Sequence, residues 1–375
     1  MSRRAWWEWI RAGGTEHRNH TLESDGANRV HGPRFLFGAF FRSSGKIKVT
    51  VARRCMAVIV VLAIGISTFA QQASPRKIRI LCLARPLPVM IAESLGILAK
   101  YGIAVEYLVR PSSESLRSDL AAGKGDVAFL AVDNDVAMVD SAGVDVVIVM
   151  GAESSENEII AQPGTKSIAD LRGQTLLVDA TNTAYALELK KVLLLNGMQP
   201  GKEYQLKPVG STPFRLQAMR DDREYAAAVM NPPFSILAKQ GGMVSLGSMR
   251  TLLGADLDRG TFALRAWTHS NSDLLVRYLA GYIEGQRWLM APSNRKQVVE
   301  LVMKESNLTE ATASDWYEAM VRNGGYAKDA AFDVEGFKKT LQLRAEIEVG
   351  GNGAAPAAEK YYDLSYYRMA LAKIK

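Results

Sequence analysis

The residues best suited to chemistry in this chain sit in short polar loops that follow apolar runs. These are Arg85–Pro88, Ser112-Ser113, Asp133-Asn134, Ala152–Ser155, Ala180–Thr183, Ser211-Thr212 and Asn231–Pro233. They offer hydroxyls, amides and the free backbone N–H groups of helix starts, a combination suited to holding a small polar or anionic molecule. The candidate contacts are therefore Arg85, Pro86, Ser112, Ser113, Asp133, Asn134, Ser154, Thr181, Asn182, Thr183 and Asn231. Arg85, between an apolar run and two prolines, could clamp a sulfonate or carboxylate through two nitrogens, or simply pair with a surface acid. Asp133 and Asp135 oppose a strongly anionic ligand unless they face away or pair with Arg85. Ser112, Thr181 and Ser211 also read as ordinary N-caps, each worth about 1 kcal/mol to its helix.

Other chemistry is missing from the sequence. It has no Gly-x-Ser-x-Gly elbow, no Walker loop, no Cys-x-x-Cys pair and no histidine cluster. No catalytic residue, metal or cofactor is expected. Of two cysteines and four histidines, only Cys82 and His269 lie beyond residue 70. Cys82 sits in an apolar run and reads as a small core residue; His269 reads as structural.

The net charge of +7 suggests nucleic acid or membrane until it is located. Residues 1–70 carry 11 Lys+Arg against 4 Asp+Glu, so the rest of the chain is formally neutral and no nucleic-acid partner is expected. Within that stretch, Arg53 and Arg54 precede the apolar Met56–Ile66, and Thr68-Phe69-Ala70 supplies small residues at a cleavage position. Residues 51–70 thus form a secretory signal, too short for a transmembrane helix, with cleavage expected after Ala70. Residues 1–50 show no sustained period and read as a non-native or disordered leader, with Val51 preferred over Met1 as the translation start. Cys55 precedes the apolar stretch and cannot serve a lipobox. Export without disulfides points to a bacterial periplasm.

Past Lys77, strand-like and helix-like segments alternate. Ile78–Leu83, Val105–Val109, Asp126–Ala131 and Asp145–Met150 are apolar runs separated by helical patterns at Val89–Lys100, Ser112–Ala122 and Asp133 to about Ala142. A second cycle repeats the plan, with strands at Thr175–Val178, Tyr204–Val209 and Ala226–Met230 and helices at Thr183–Leu195 and Pro213–Arg220. Continuous apolar strands between helices signal a parallel sheet covered on both faces. After a strand at Thr261–Trp267 the chain reads as helical. Tyr362, Tyr366 and Met369 form an aromatic stripe that reads as a docking face.

Motif order then carries a resemblance. Ala92-Glu93-Ser94-Leu95-Gly96-Ile97-Leu98-Ala99-Lys100-Tyr101-Gly102-Ile103 precedes Leu120-Ala121-Ala122-Gly123-Lys124-Gly125-Asp126-Val127-Ala128. Ser167-Ile168-Ala169-Asp170-Leu171-Arg172-Gly173-Gln174-Thr175 and Leu195-Asn196-Gly197-Met198-Gln199-Pro200-Gly201 follow. In this order the chain resembles the solute-binding proteins of ABC importers in the taurine, sulfonate, nitrate and thiamine-pyrimidine group, from about Lys77 to Lys375. The resemblance implies an α/β type II periplasmic-binding fold, two lobes around a ligand cleft with two crossover segments. Lobe 1 would span 76–160, lobe 2 161–260 and the return to lobe 1 261–375, with crossings near Glu156–Gly164 and Gly260–Ala266. It implies a monomer that captures a small solute, a sulfonate or other anion or a heteroaromatic, and delivers it to an inner-membrane permease. A related pyrimidine synthase on this fold would need a cysteine- and histidine-rich motif. A ligand sensor would need an attached signalling module. Neither is found past residue 70.

Overall fold

The ten strands of the described residues divide between two five-stranded sheets of matching plan. A computed structural model describes residues 74–154, 156–254, 257–348 and 354–374. The leader, the signal segment with Cys55, and residues 349–353 lie outside the described residues.

The first sheet contains β1 (Arg76–Cys82), β2 (Ile103–Val109), β3 (Val127–Ala131), β4 (Val146–Ser154) and β10 (Leu257–Leu264), in the order β2-β1-β3-β10-β4. The second contains β5 (Glu158–Ala161), β6 (Thr175–Val178), β7 (Gln205–Pro208), β8 (Tyr225–Met230) and β9 (Val244–Ser248), in the order β7-β6-β8-β5-β9. In each sheet the fourth position is taken by an antiparallel strand that enters from the other half of the chain. β10 runs antiparallel to β3 and β4, and β5 antiparallel to β8 and β9. The wholly parallel sheet expected from the apolar runs is thus corrected to a mixed one. A strand that has just crossed from the opposite lobe enters from the ligand-facing end, so it runs against its neighbours. The chain joins the first sheet again at Leu257, ahead of the expected Gly260. Past Leu264 it turns helical as α9 (Arg265–Ser270), so the expected strand to Trp267 ends early.

Helices cover both faces. The expected single helix Val89–Lys100 is two, α1 (Leu87–Ser94) and α2 (Ile97–Lys100), because Gly96 adopts a left-handed φ of 70° between them. Helix α3 (Ser113–Ala121) follows β2, and α4 (Asp133–Ala142) follows β3. In the second lobe α5 (Ala184–Leu195), α6 (Thr212–Asp221), α7 (Phe234–Gln240) and the short α8 (Met249–Leu253) follow β6, β7, β8 and β9. Leu189, Val192 and Leu193 of α5 enter the core with Leu176, Val178 and Val229, as the helical period requires.

The long α10 (Ser272–Met290) packs across α1 and α2, burying Leu275, Tyr278, Leu279, Tyr282 and Ile283. Its glycines set that spacing. A Cβ at Gly281 would lie 2.7 Å from Leu98 Cδ2, and one at Gly285 would collide with the Pro88 carbonyl oxygen. Helices α11 (Arg295–Ser306) and α12 (Glu310–Tyr317) build a separate apolar cluster around Val298, Val302, Trp316 and Leu289 that also takes in Ile236 of α7. Helix α13 (Val334–Glu348) leads to the C-terminal α14 (Ser365–Lys373). Tyr366 and Ala370 of α14 dock on α10, whereas Tyr362 packs on Phe332 at 5.1 Å and Met369 stands out in solvent. The expected stripe is therefore split, since Tyr362 precedes the helix and its position is set by the extended chain.

Candidate functional site

Loops at the carboxyl ends of the parallel strands meet around a cavity of about 110 Å³. This is where open α/β sheets place helix starts and leave room for a ligand. From the first sheet come Leu83 and Ala84 after β1, Phe129–Ala131 at the end of β3, Ser113 and Asn134 at two helix starts, and Arg259 on β10. From the second come Asp179 after β6, Thr183–Tyr185, Ser211–Pro213, Arg215, Asn231 and Phe234.

Asp179 closes the apolar run of β6 and is 9% exposed. One of its carboxylate oxygens accepts from Ser113 Oγ of the opposite lobe at 2.9 Å, the other from Thr183 Oγ1 at 2.5 Å. Arg215, 1% exposed, is held by the carbonyls of Gly210 (2.6 Å) and Val229 (2.9 Å) and by Thr212 Oγ1 (3.0 Å). Its guanidinium lies 5.7 Å from the Tyr185 ring centre, and its Nε has no hydrogen-bond partner. Burial pulls the Arg215 pKa below its ordinary value, and the nearby Asp179 charge opposes that shift. Thr212 Oγ1 donates to Asn231 Oδ1 at 2.8 Å, which ties the α6 start to the loop after β8.

On the other side, Arg259 reaches Glu153 at 3.0 Å and donates to the Tyr185 hydroxyl at 2.9 Å across the cleft. Burial raises the Glu153 pKa while Arg259 opposes it. Asn134 donates to the Ala131 carbonyl at 3.0 Å and to Asp133, and its Oδ1 is left without a partner.

The lobes touch beyond the cavity as well. Ser211 N donates to the Pro111 carbonyl (3.2 Å), Arg117 to Asn182 Oδ1 (3.3 Å), Arg344 to the Asn182 carbonyl (3.4 Å), and Lys191 pairs with Glu346 at 2.5 Å. Together with Ser113–Asp179 they describe a closed cleft.

Of the residues expected at the site, Ser113, Asn134, Thr183 and Asn231 line the cavity. The others lie elsewhere. Arg85 forms an ion pair with Glu305 and lies 5.7 Å from the Tyr107 ring, so it takes the surface-acid alternative. Pro86 precedes α1 and its carbonyl accepts from Val89 N at 3.1 Å. Ser112 caps α3 by accepting from Ser115 N at 3.2 Å. Asp133 pairs with Arg344 at 3.0 Å, not with Arg85, and Asp135 is buried with neither carboxylate oxygen hydrogen-bonded. Ser154 donates to the Gly324 carbonyl at 2.7 Å and accepts from Arg250. Thr181 is exposed and not a cap, because the helix starts later, with Thr183 at the cap position; Asn182 accepts from Arg117. Ser211 occupies its cap position without a side-chain cap bond. His269 is exposed at the end of α9.

The sequence reading passed over Asp179, Tyr185, Arg215 and Arg259. Asp179 carried a signal, being the polar residue that ends an apolar strand. Arg215 and Tyr185 are ordinary helix positions in the sequence, inside the patterns Pro213–Arg220 and Thr183–Leu195.

The NMT1-like family model matches residues 77–303, more than half of the chain. The chain belongs to the NMT1-like family. Comparison with curated protein sequences returns no match. Solved structures with the same fold include a protein of Bordetella bronchiseptica (TM-score 0.68, 16% identity, covering 80% of this chain and 98% of that one). Another is the periplasmic aliphatic sulphonate binding protein SsuA of Escherichia coli (0.61, 18%, 78% and 100%). A third is the desulfurization enzyme DSZB (0.56, 12%, 79% and 99%). This NMT1-like chain thus has a two-lobed fold that serves both binding proteins and an enzyme.

Proposed function

We propose that this protein is the solute-binding component of an ABC importer, exported to the periplasm and acting as a monomer. One observation carries the reading: side chains from both lobes, Ser113 and Asp179, meet by hydrogen bonding at the wall of a small cavity. A solute held there touches both lobes only when they are closed. It therefore shifts the population toward the closed form, which a membrane permease can distinguish from the open one. The sulphonate-binding relative supports this reading, as do the signal-like residues 51–70. Among the described residues no helix is long and apolar enough to cross a membrane.

An enzymatic reading draws support from the desulfurization enzyme on the same fold. Binding is favoured because the hydroxyls of Ser113 and Thr183 are both taken up in hydrogen bonds to Asp179, and among the described residues no histidine or cysteine lines the cavity. The buried Arg215 and the half-buried Arg259 hold carbonyls, hydroxyls and one carboxylate. A thermal-shift screen against sulfonates, carboxylates, nitrate and pyrimidines tests the proposal. It expects at least one solute to raise the melting temperature with no turnover. Turnover of a substrate with no stabilising solute would overturn it.

A further inference from the structure

The cavity holds a carboxylate that makes no ion pair, with the Arg215 charge near it but bonded elsewhere. Asp179 lines it and is more than nine-tenths buried, and among the described residues no cation lies within ion-pair distance of it. Its two side-chain hydrogen bonds, from Ser113 and Thr183, use neutral hydroxyls. Two oxygens with about four lone-pair sites retain room for further donors. A buried carboxylate is costly unless it is paired or fully hydrogen-bonded.

The cations nearby are committed elsewhere. Arg215 spends its terminal nitrogens on the Gly210 and Val229 carbonyls and on Thr212, and Arg259 is engaged by Glu153 and the Tyr185 hydroxyl. Neither presents an unoccupied fork to the cavity, which is the geometry that two-point binding of an oxyanion uses. The second polar side chain of the first-lobe wall, Asn134, leaves an acceptor oxygen unpartnered. Apart from Arg259, the rest of that wall is apolar or aromatic, with Leu83, Phe129 and Leu130, and Phe234 completes it from the second lobe.

Resting on the solute-binding reading above, we infer that Asp179 is the specificity-determining residue of the site. It selects a small solute bearing a protonated or N–H-donating amine and disfavours plain oxyanions. The amine donates to the open lone pairs of Asp179, and the apolar remainder of the solute packs against Phe129 and Phe234. A simple oxyanion entering the same space would meet the Asp179 charge, and of the Arg215 guanidinium only the Nε–H is without a partner to offset it.

Calorimetric titration with matched pairs differing by one amino group tests this directly. The probes are 2-aminoethanesulfonate against ethanesulfonate, and 4-aminopyrimidine against pyrimidine. In the wild-type protein the amino member of at least one pair is expected to bind about tenfold tighter or more. Asp179→Asn is expected to bring that ratio close to one, and Asp179→Glu, which keeps the carboxylate, to restore part of it. Equal affinities within both pairs in the wild type, or a preference that survives in D179N, would overturn the role of Asp179 and leave the solute-binding reading standing. Binding by no member of either pair at millimolar concentration would take the cavity reading down with it. Should D179N fail to fold, the wild-type ratios still decide.

Discussion

On the first-lobe side of the cavity Leu83, Ala84, Phe129, Leu130 and Ala131 present apolar surface. On the second-lobe side Asp179, Thr183, Ser211, Thr212 and Arg215 present hydroxyls and charge. The two sheets share one strand plan, so the difference lies in the loops and not in the scaffold. The first lobe adds few polar groups, chiefly Ser113, Asn134 and Arg259. A solute can thus find most of its polar partners on the second lobe and be covered by the first. Closure then removes apolar surface from water, at about 25 cal/mol per Å².

Removing Arg215 breaks this contrast most severely. Arg215→Leu strands the Gly210 and Val229 carbonyls in a buried setting, and a loss of about 3 kcal/mol in urea unfolding is expected, together with loss of solute binding. Glycine 285 probes the first lobe without touching the cavity. Gly285→Ala forces α10 off the Pro88 carbonyl and is expected to cost about 2 kcal/mol, read as a lower melting temperature at unchanged solute affinity.

Asp135 gives the next effect. Burial holds its pKa well above the usual carboxylate value, with Arg265 opposing. Below the unfolded value the carboxyl is neutral in both states and costs nothing as a charge. As pH rises past that value, the unfolded chain ionises first and the native state loses relative stability. Asp135→Asn is therefore expected to stabilise the protein at neutral pH, by about 1 kcal/mol. Melting curves of the two proteins should converge toward pH 4, and an unchanged gap at acid pH would refute the burial argument. The smallest effect belongs to the latch between the lobes. Glu346→Gln removes the partner of Lys191, whose charge holds the Glu346 pKa below its ordinary value. The pair is partly exposed, so a cost below about 1 kcal/mol, further reduced by salt, is expected in the closed fraction measured by small-angle scattering.

Much of this fold was legible because the alternation of apolar runs and helical patterns is local. The carboxyl-end loops followed from it, and so did the Ser112 cap. The antiparallel strands β5 and β10 were not legible as such, since their direction depends on crossing between lobes. The site divided along the same line. Ser113, Asn134, Thr183 and Asn231 sit at loop or helix starts beside the strands, and their place on the cavity wall was legible. Arg85 was not separable from a ligand clamp by sequence, because its partner Glu305 lies on α11, far along the chain. Arg215 and Tyr185 were hidden for a similar reason. Each occupies an unremarked helix position, and only the approach of the lobes turns it toward a cavity.

The central claim is that a solute binds between the lobes. The most direct test compares the solute-induced thermal shift of the wild-type protein with that of Ala131→Trp, whose indole would occupy the cavity beside Phe129 and Leu130. With the solute found by screening, a rise in melting temperature is expected for the wild type and none for the folded variant. Equal shifts in the two proteins would contradict a site at this cavity.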